Sequence, residues 1–352
     1  MKSKHIGLII LALVMVLTVV FLFFKQNKVE TVYLDGYLGG EKIGLFEDEE
    51  FHKILKEYNI SMDYSKAGSL DMVTADFNSR NYLFPSSQTA LDLYTTVHGN
   101  PIKSEIIFNT PIVLYSRELV VDKLVKNGLI KEKNGIYYVD MIELVKLIEA
   151  GTSWSDLGVD ELYGPMAVNT TDPTKSNSGN MFAGLVANSL NEGQVVNSTN
   201  VSSILPSVKN IFAKLGYMET SSADLFDQFL KTGVGAKPII AGYESQLLEF
   251  AVLNPDDYAQ IKEDIKIIYP TPTVWSSHIY IALDEKGKLG IDALMNERLQ
   301  KLAWEKHGFR TEVAGVDSDS NIFGVSGLAE NVTQIIPMPD SKTMEIIINS
   351  LQ

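Results

Sequence analysis

The sequence predicts an α/β fold in two lobes, with mixed sheets, flanking helices and two hinge crossovers. Three observations predict it. Short apolar strands repeatedly run into small hydroxyl- or glycine-rich loops that open helices, the rhythm of open α/β sheets whose ligand loops sit at strand C-terminal ends. The apolar extended run 105–116 is broken by Thr110-Pro111, and a proline suits a crossover between lobes better than the centre of one sheet. A second proline-marked stretch, 270–275, reads as the return crossover. With 352 residues the chain is long enough for two cores. The expected division is an anchor and linker over 1–28, lobe I from 29–112 plus 273–352, and lobe II from 113–272.

The N-terminal run 6–24 is 19 residues without a charge, flanked by Lys2, Lys4, Lys25 and Lys28. It has the length of a hydrocarbon crossing. It ends Val-Val-Phe-Leu-Phe-Phe, without the small residues of a cleavage site, so it reads as an uncleaved single-pass anchor in preference to a signal peptide. Basic residues on both sides leave the orientation poorly set; export of the large acidic body accounts for a lone span. Beyond residue 28 the chain holds 26 bases against 44 acids, a net −18. Such a body repels phosphate backbones at long range and argues against a nucleic-acid partner. A small anion held by local amides is still allowed, because salt screens distant charge. There are no cysteines, which removes disulfides, thiolate metal sites, cysteine nucleophiles and a lipid-modified N-terminal Cys.

Residues 31–35 form the first predicted strand. Gly36-Tyr37-Leu38-Gly39-Gly40-Glu41-Lys42 follows, and then a helix carrying Phe51, Ile54, Leu55 and Tyr58 on one face. The acids 47–50 complement that helix start. Strands near 60–64 and 82–84 lead into Lys66-Ala67-Gly68-Ser69 and Pro85-Ser86-Ser87-Gln88. Helical patterns cover 119–125 and 141–148. A buried strand at 164–168 feeds the loop 170–179, from which an amphipathic helix leaves with Phe182, Leu185, Val186 and Leu190 at helical spacing. Ser176, Asn177 or Ser178 can cap that helix. Its free N–H groups and partial positive charge make a place for a polar or anionic ligand, although an ordinary capped helix would look the same. Residues 191–207 read as a surface loop and 208–215 and 224–230 as helices. The strand 237–241 runs into Gly242-Tyr243-Glu244-Ser245-Gln246 and another helix. Strands at 266–269 and 278–283, a helix near 292–306, a polar segment 314–327 and a last helix with Met344, Ile347, Ile348 and Leu351 complete the chain.

Enzyme signatures are missing. No G-x-S-x-G, S-x-x-K, phosphate-binding P-loop or G-x-G-x-x-G occurs. The five histidines are scattered without metal-ligand spacing. Asp317-Ser318-Asp319-Ser320-Asn321 starts like a calcium loop, but Ile322 and Leu328 stand where Gly and Glu are needed. The chain reads as a non-enzyme with no cofactor and no metal.

Taken together, the loops 36–46, 67–69, 84–88, 172–179, 242–246 and 269–273, with the stretch 304–309, resemble the type 2 extracellular (periplasmic-type) solute-binding proteins of bacterial ABC transport systems. The likeness leans to the branch holding phosphate- and molybdate-type receptors and solute-binding domains linked to von Willebrand A modules. It implies a type 2 periplasmic-binding-protein fold whose two lobes close on a ligand. It implies ligand contacts from Gly39, Glu41 and Lys42, Gly68 and Ser69, and Ser86 and Ser87, with Thr110 and Thr273 near the crossovers. From the second lobe it implies Lys175, Ser176, Asn177, Ser178 and Gly179, and Tyr243, Glu244 and Ser245. The family's usual lipid anchor is replaced here by a membrane span. The expected function is capture of a small polar solute, an oxyanion among the candidates, by a tethered monomer serving an ABC permease or another membrane complex at the cell surface. Glu41 and Glu244 would oppose an anion if they faced the cleft. The alternatives are an extracellular scaffold or sensor with no small ligand and, more weakly, a hydrolase using Ser or Glu.

Overall fold

The computed structural model describes residues 5, 13–16, 18, 30–311, 313, 316 and 319–352. Most of the expected span 6–24, and Asp317 and Ser318 of the calcium-like turn, lie outside them. Among the described residues no helix is long and apolar enough to cross a membrane.

One ten-stranded sheet runs through both lobes in the order β2-β1-β3-β9-β4-β8-β6-β5, with β7 and β10 (Arg310–Thr311) also on β4. In the first lobe β1 (Val32–Leu38) lies parallel to β2 (Ile60–Lys66) and β3 (Tyr82–Phe84). There β9 (Trp275–Ala282) runs antiparallel to β3 and β4. β4 (Lys103–Arg117) is shared. As far as Pro111 it pairs with β9; from Ile112 it pairs with β7 (Ile239–Tyr243) and from Leu114 also with β8 (Ile265–Thr271). Pro111, which has no N–H to give, stands where the strand changes partners. The return crossover is tied to it: the Thr273 hydroxyl donates to the Ile112 carbonyl at 2.6 Å and the Ile112 N–H to Val274 at 3.1 Å. β5 (Ile130–Lys133) and β6 (Ile136–Asp140) form a hairpin. Its Asn134-Gly135 turn has both φ angles positive, the tight turn these two residues favour.

Leu34, Phe46, Phe84 and Phe108 anchor the first lobe's core, while Leu114, Trp154, Phe182 and Ile204 belong to that of the second. Four expectations change. Residues 164–168 are no strand: Gly164 has φ +82°, Pro165 cannot donate, and only isolated bridges at Pro165 and Asn169 form. The helix Asn177–Leu190 is not amphipathic, since every residue from Ser178 to Ser189 is buried. The next helix, Val201–Ala213, starts inside the expected surface loop and carries Pro206 within it. The expected helix near 292–306 is two, Gly287–Leu294 and Glu297–His307, separated where Asn296 caps the second by accepting from Arg298 N and Leu299 N.

The last helix, Ser341–Asn349, sets Met344, Ile347 and Ile348 in the second lobe's core, not in the first lobe's as a block 273–352 would have it. It also touches the first-lobe helix Gln88–His98, and so spans both. Ile347→Val should lower stability by about 1 kcal/mol, the usual loss for one buried methylene, read as a shift in urea midpoint at unchanged slope.

Candidate functional site: the cleft between the lobes

Strand ends of lobe I and helix starts of lobe II face each other across a cleft of about 430 Å³. From lobe I come Gly39, Gly40 and Glu41 after β1, and Lys66, Gly68, Ser69 and Asp71 after β2. From lobe II come Lys175, Ser176 and Asn177 at the start of Asn177–Leu190, Thr220 to Asp224 at the start of the helix Ser222–Lys231, and Tyr243 at the end of β7. Neither Ser176 nor Ser221, the two N-cap residues, caps its helix with its side chain. Both helices therefore keep first-turn N–H groups available, with the positive end of each dipole at the cleft. A side pocket lined by Gly68, Ser69, Asp71, Thr174 and Ser176 continues from the cleft to Asn180.

Behind the lobe I wall is a polar cluster. Lys42 is fully buried, and its ammonium donates to the Glu41 carboxylate, to Ser86 Oγ at 2.6 Å and to His278 Nδ1 at 3.2 Å. Ser86 Oγ also donates to Glu41. Burial works to raise the Glu41 carboxyl, but the Lys42 charge and the hydrogen bonds from Lys42 and Ser86 outweigh it and hold it at about 2. Burial and the Lys42 ammonium push His278 well down, so at neutral pH the ring is uncharged and its Nδ1 accepts. Burial, seconded by the Glu41 charge, raises the Tyr243 phenol, which stays protonated.

The lobes are joined across this floor. Asn177 Nδ2 donates to the Ser86 carbonyl at 2.9 Å and to the Tyr243 hydroxyl at 3.0 Å. Ser69 Oγ accepts from Ser86 N at 3.0 Å, and Ser276 Oγ donates to the Ser86 carbonyl at 2.8 Å. Of the residues expected from sequence, Gly39, Glu41, Gly68, Ser69, Lys175, Ser176, Asn177 and Tyr243 line the cleft. Lys42 and Ser86 stand directly behind Glu41.

Seven others do not line it. Glu244 is buried in a two-pronged pair with Arg310 (Nε to Oε2 at 2.7 Å, Nη2 to Oε1 at 2.9 Å) and accepts from the Tyr269 hydroxyl at 2.5 Å. Its charge is satisfied by these partners, away from the cleft. Ser245 N donates to Thr110 Oγ1 at 3.2 Å, both buried, and Thr273 holds the crossovers together. Ser178 is buried against Thr171 Oγ1 at 2.8 Å. Gly179 packs so closely that a Cβ would come to 2.2 Å from the Thr171 carbonyl oxygen. Ser87 lies in a separate cavity with Trp275 and Met338. Sequence reasoning missed Lys66, Asp71 and the loop Thr220-Ser221-Ser222, although the last carries the same signal of small hydroxyl residues before a helix. Among the described residues no group of three His, Asp or Glu is placed to hold a metal ion.

No protein-family model matches the chain, and no curated protein matches it by sequence. Solved structures do match. A substrate-binding protein of an ABC transporter from Agrobacterium tumefaciens aligns with TM-score 0.55 at 14% identity, over 93% of this chain and 96% of that one. A periplasmic binding protein from Actinobacillus pleuropneumoniae, with fructose-6-phosphate bound, aligns with TM-score 0.56 at 10% identity over 91% and 97%. The ferric binding protein of Campylobacter jejuni aligns with TM-score 0.54 at 7% identity over 90% and 96%. The chain thus has the two-lobed α/β fold of these binding proteins, over nearly its whole length and theirs.

Proposed function

We propose that the protein is an extracellular solute-binding protein, not an enzyme, that captures a small polar solute between its lobes for an ABC-type importer. The carrying observation is the cleft, where lobe I strand ends meet two lobe II helix starts that lack side-chain caps. Its volume is that of ordinary small-molecule sites. The fold shared with substrate-binding proteins of ABC transporters supports the same reading. A scaffold with no ligand would be expected to fill this space with its own side chains; here it is open. The apolar run 6–24 and its flanking lysines support tethering to the cell membrane with the binding domain outside. The phosphate- and molybdate-type branch rests on the loop likeness alone, and the ionised Glu41 in the cleft wall weighs against a plain oxyanion.

Thermal-shift screening of the purified protein against small polar solutes tests this. A true ligand at a hundred times its Kd should add about 2.7 kcal/mol of stability, and Lys175→Ala, at an exposed position, should reduce the shift without changing the melting temperature of the free protein. A screen in which nothing stabilises the protein would favour the scaffold.

A further inference from the structure

The charges of the cleft narrow the class of solute. Its lining includes two lysines, Lys66 and Lys175, facing Asp71, Asp224 and Glu41, and the Glu41 charge is offset from behind by Lys42. Such a wall gives no net preference for an anion or a cation. It does have distinct places for each.

On the lobe II side, Asn180 lies one turn into the helix Asn177–Leu190 and is 2% exposed. Both polar atoms of its side chain, Nδ2 and Oδ1, lack a partner among the described residues. A buried amide left this way is unfavourable, and a polar group or a water that reached it would be favoured. The side pocket leads towards it, past Ser176 and the first-turn N–H groups, with about 20 Å³ of room, enough for a single oxygen of a larger group or one water. On the lobe I side, all the hydrogen bonds of the Glu41 carboxylate end on Oε1, and its side chain, 10% exposed, still lines the cleft. Oε2 is left as an acceptor there, with Asp71 close to the same pocket.

Resting on the receptor reading, we infer that the solute is a small zwitterion. Its acidic group sits at the helix start and the Asn180 amide, and its ammonium group faces Glu41 and Asp71. An amino acid or a phosphorylated amine has this chemistry. A plain oxyanion would satisfy Asn180 but meet the two carboxylates; a plain amine would leave Asn180 and the helix N–H groups unanswered.

The experiment is a thermal-shift and calorimetric screen of the purified full chain with the common amino acids and phosphoethanolamine. Each zwitterion is compared with the acid lacking its amine and the amine lacking its acid. At least one zwitterion should bind, with both of its halves weaker by about tenfold or more. Asn180→Leu, close in shape, should weaken that binding by a similar factor while leaving the melting temperature of the free protein unchanged or higher, because it removes an unpartnered amide. A purely structural Asn180 would not give this split. Glu41→Gln should weaken the zwitterion and leave the amine-free acid unaffected or stronger. A bare acid that binds as tightly as any zwitterion, or binding indifferent to Asn180→Leu, would overturn the inference and leave the receptor reading intact. Silence from every solute, charged or neutral, would remove both.

Discussion

Glu244→Gln is expected to destabilise the protein by about 3–5 kcal/mol, the range for breaking one side of a buried ion pair. Glu244 is fully buried and takes both prongs of Arg310 and the Tyr269 hydroxyl. Gln keeps the volume but removes the charge, and one of its two terminal groups is a donor facing donors. Arg310 is itself largely buried and would keep only the carbonyls of Ala329 and Glu330. Glu285→Gln, at an exposed pair with Lys288, is the control and should change stability by less than about 0.5 kcal/mol. Urea unfolding of the two variants side by side measures the difference. Equal midpoints would mean that the Glu244–Arg310 contact contributes nothing beyond packing.

Lys42→Met is the second large effect, and it depends on pH. In the native chain the Glu41 carboxyl is held at about 2, below its usual 4.5. Its ionised form therefore contributes stability that is complete above pH 4.5 and is lost as pH falls toward about 2. Without Lys42 the carboxylate stays buried and loses the ammonium that opposed burial, so its folded pKa moves up. The sign then reverses: the penalty is full at neutral pH and fades as acid protonates the group. The variant should lose about 3–5 kcal/mol at pH 7 and come closer to the native chain near pH 4. Unfolding midpoints of both proteins across that range give the comparison, and a constant gap would rule out Glu41 as the source.

The repeated strand–loop–helix rhythm was legible because it depends on neighbours in sequence: apolar runs of strand length, then small polar residues before a helical face. The crossover at Pro111 was legible for the same reason. So was half of the cleft, since Ser69, Ser176, Asn177 and Tyr243 lie at the turns from strand or loop into helix. The Asn134-Gly135 hairpin had a readable signal that went unused. What sequence did not reveal depends on distant partners. Tyr243-Glu244-Ser245 is a strand-to-helix turn like the others, yet Arg310, 66 residues further on, takes Glu244 out of the cleft. Ser178 and Ser245 look like Ser176 on paper, but each lies two positions past its helix's N-cap, which turns the side chain from the cleft to the core. Asn180 reads as one polar residue among several; only burial without a partner distinguishes it.

The placement of β9 bears on how the chain acquires its shape during synthesis. β9 (from Trp275) sits between β3 (to Phe84) and β4 (to Arg117), although both precede it far back in the sequence. Most of lobe II, a single run between the two crossovers, can condense while the ribosome is still working. The first lobe emerges earlier and must wait with an open seam in its sheet until residues 275–282 arrive to fill it. The half made first is finished late, and its sheet keeps an unpaired edge on β3 and on β4 until then.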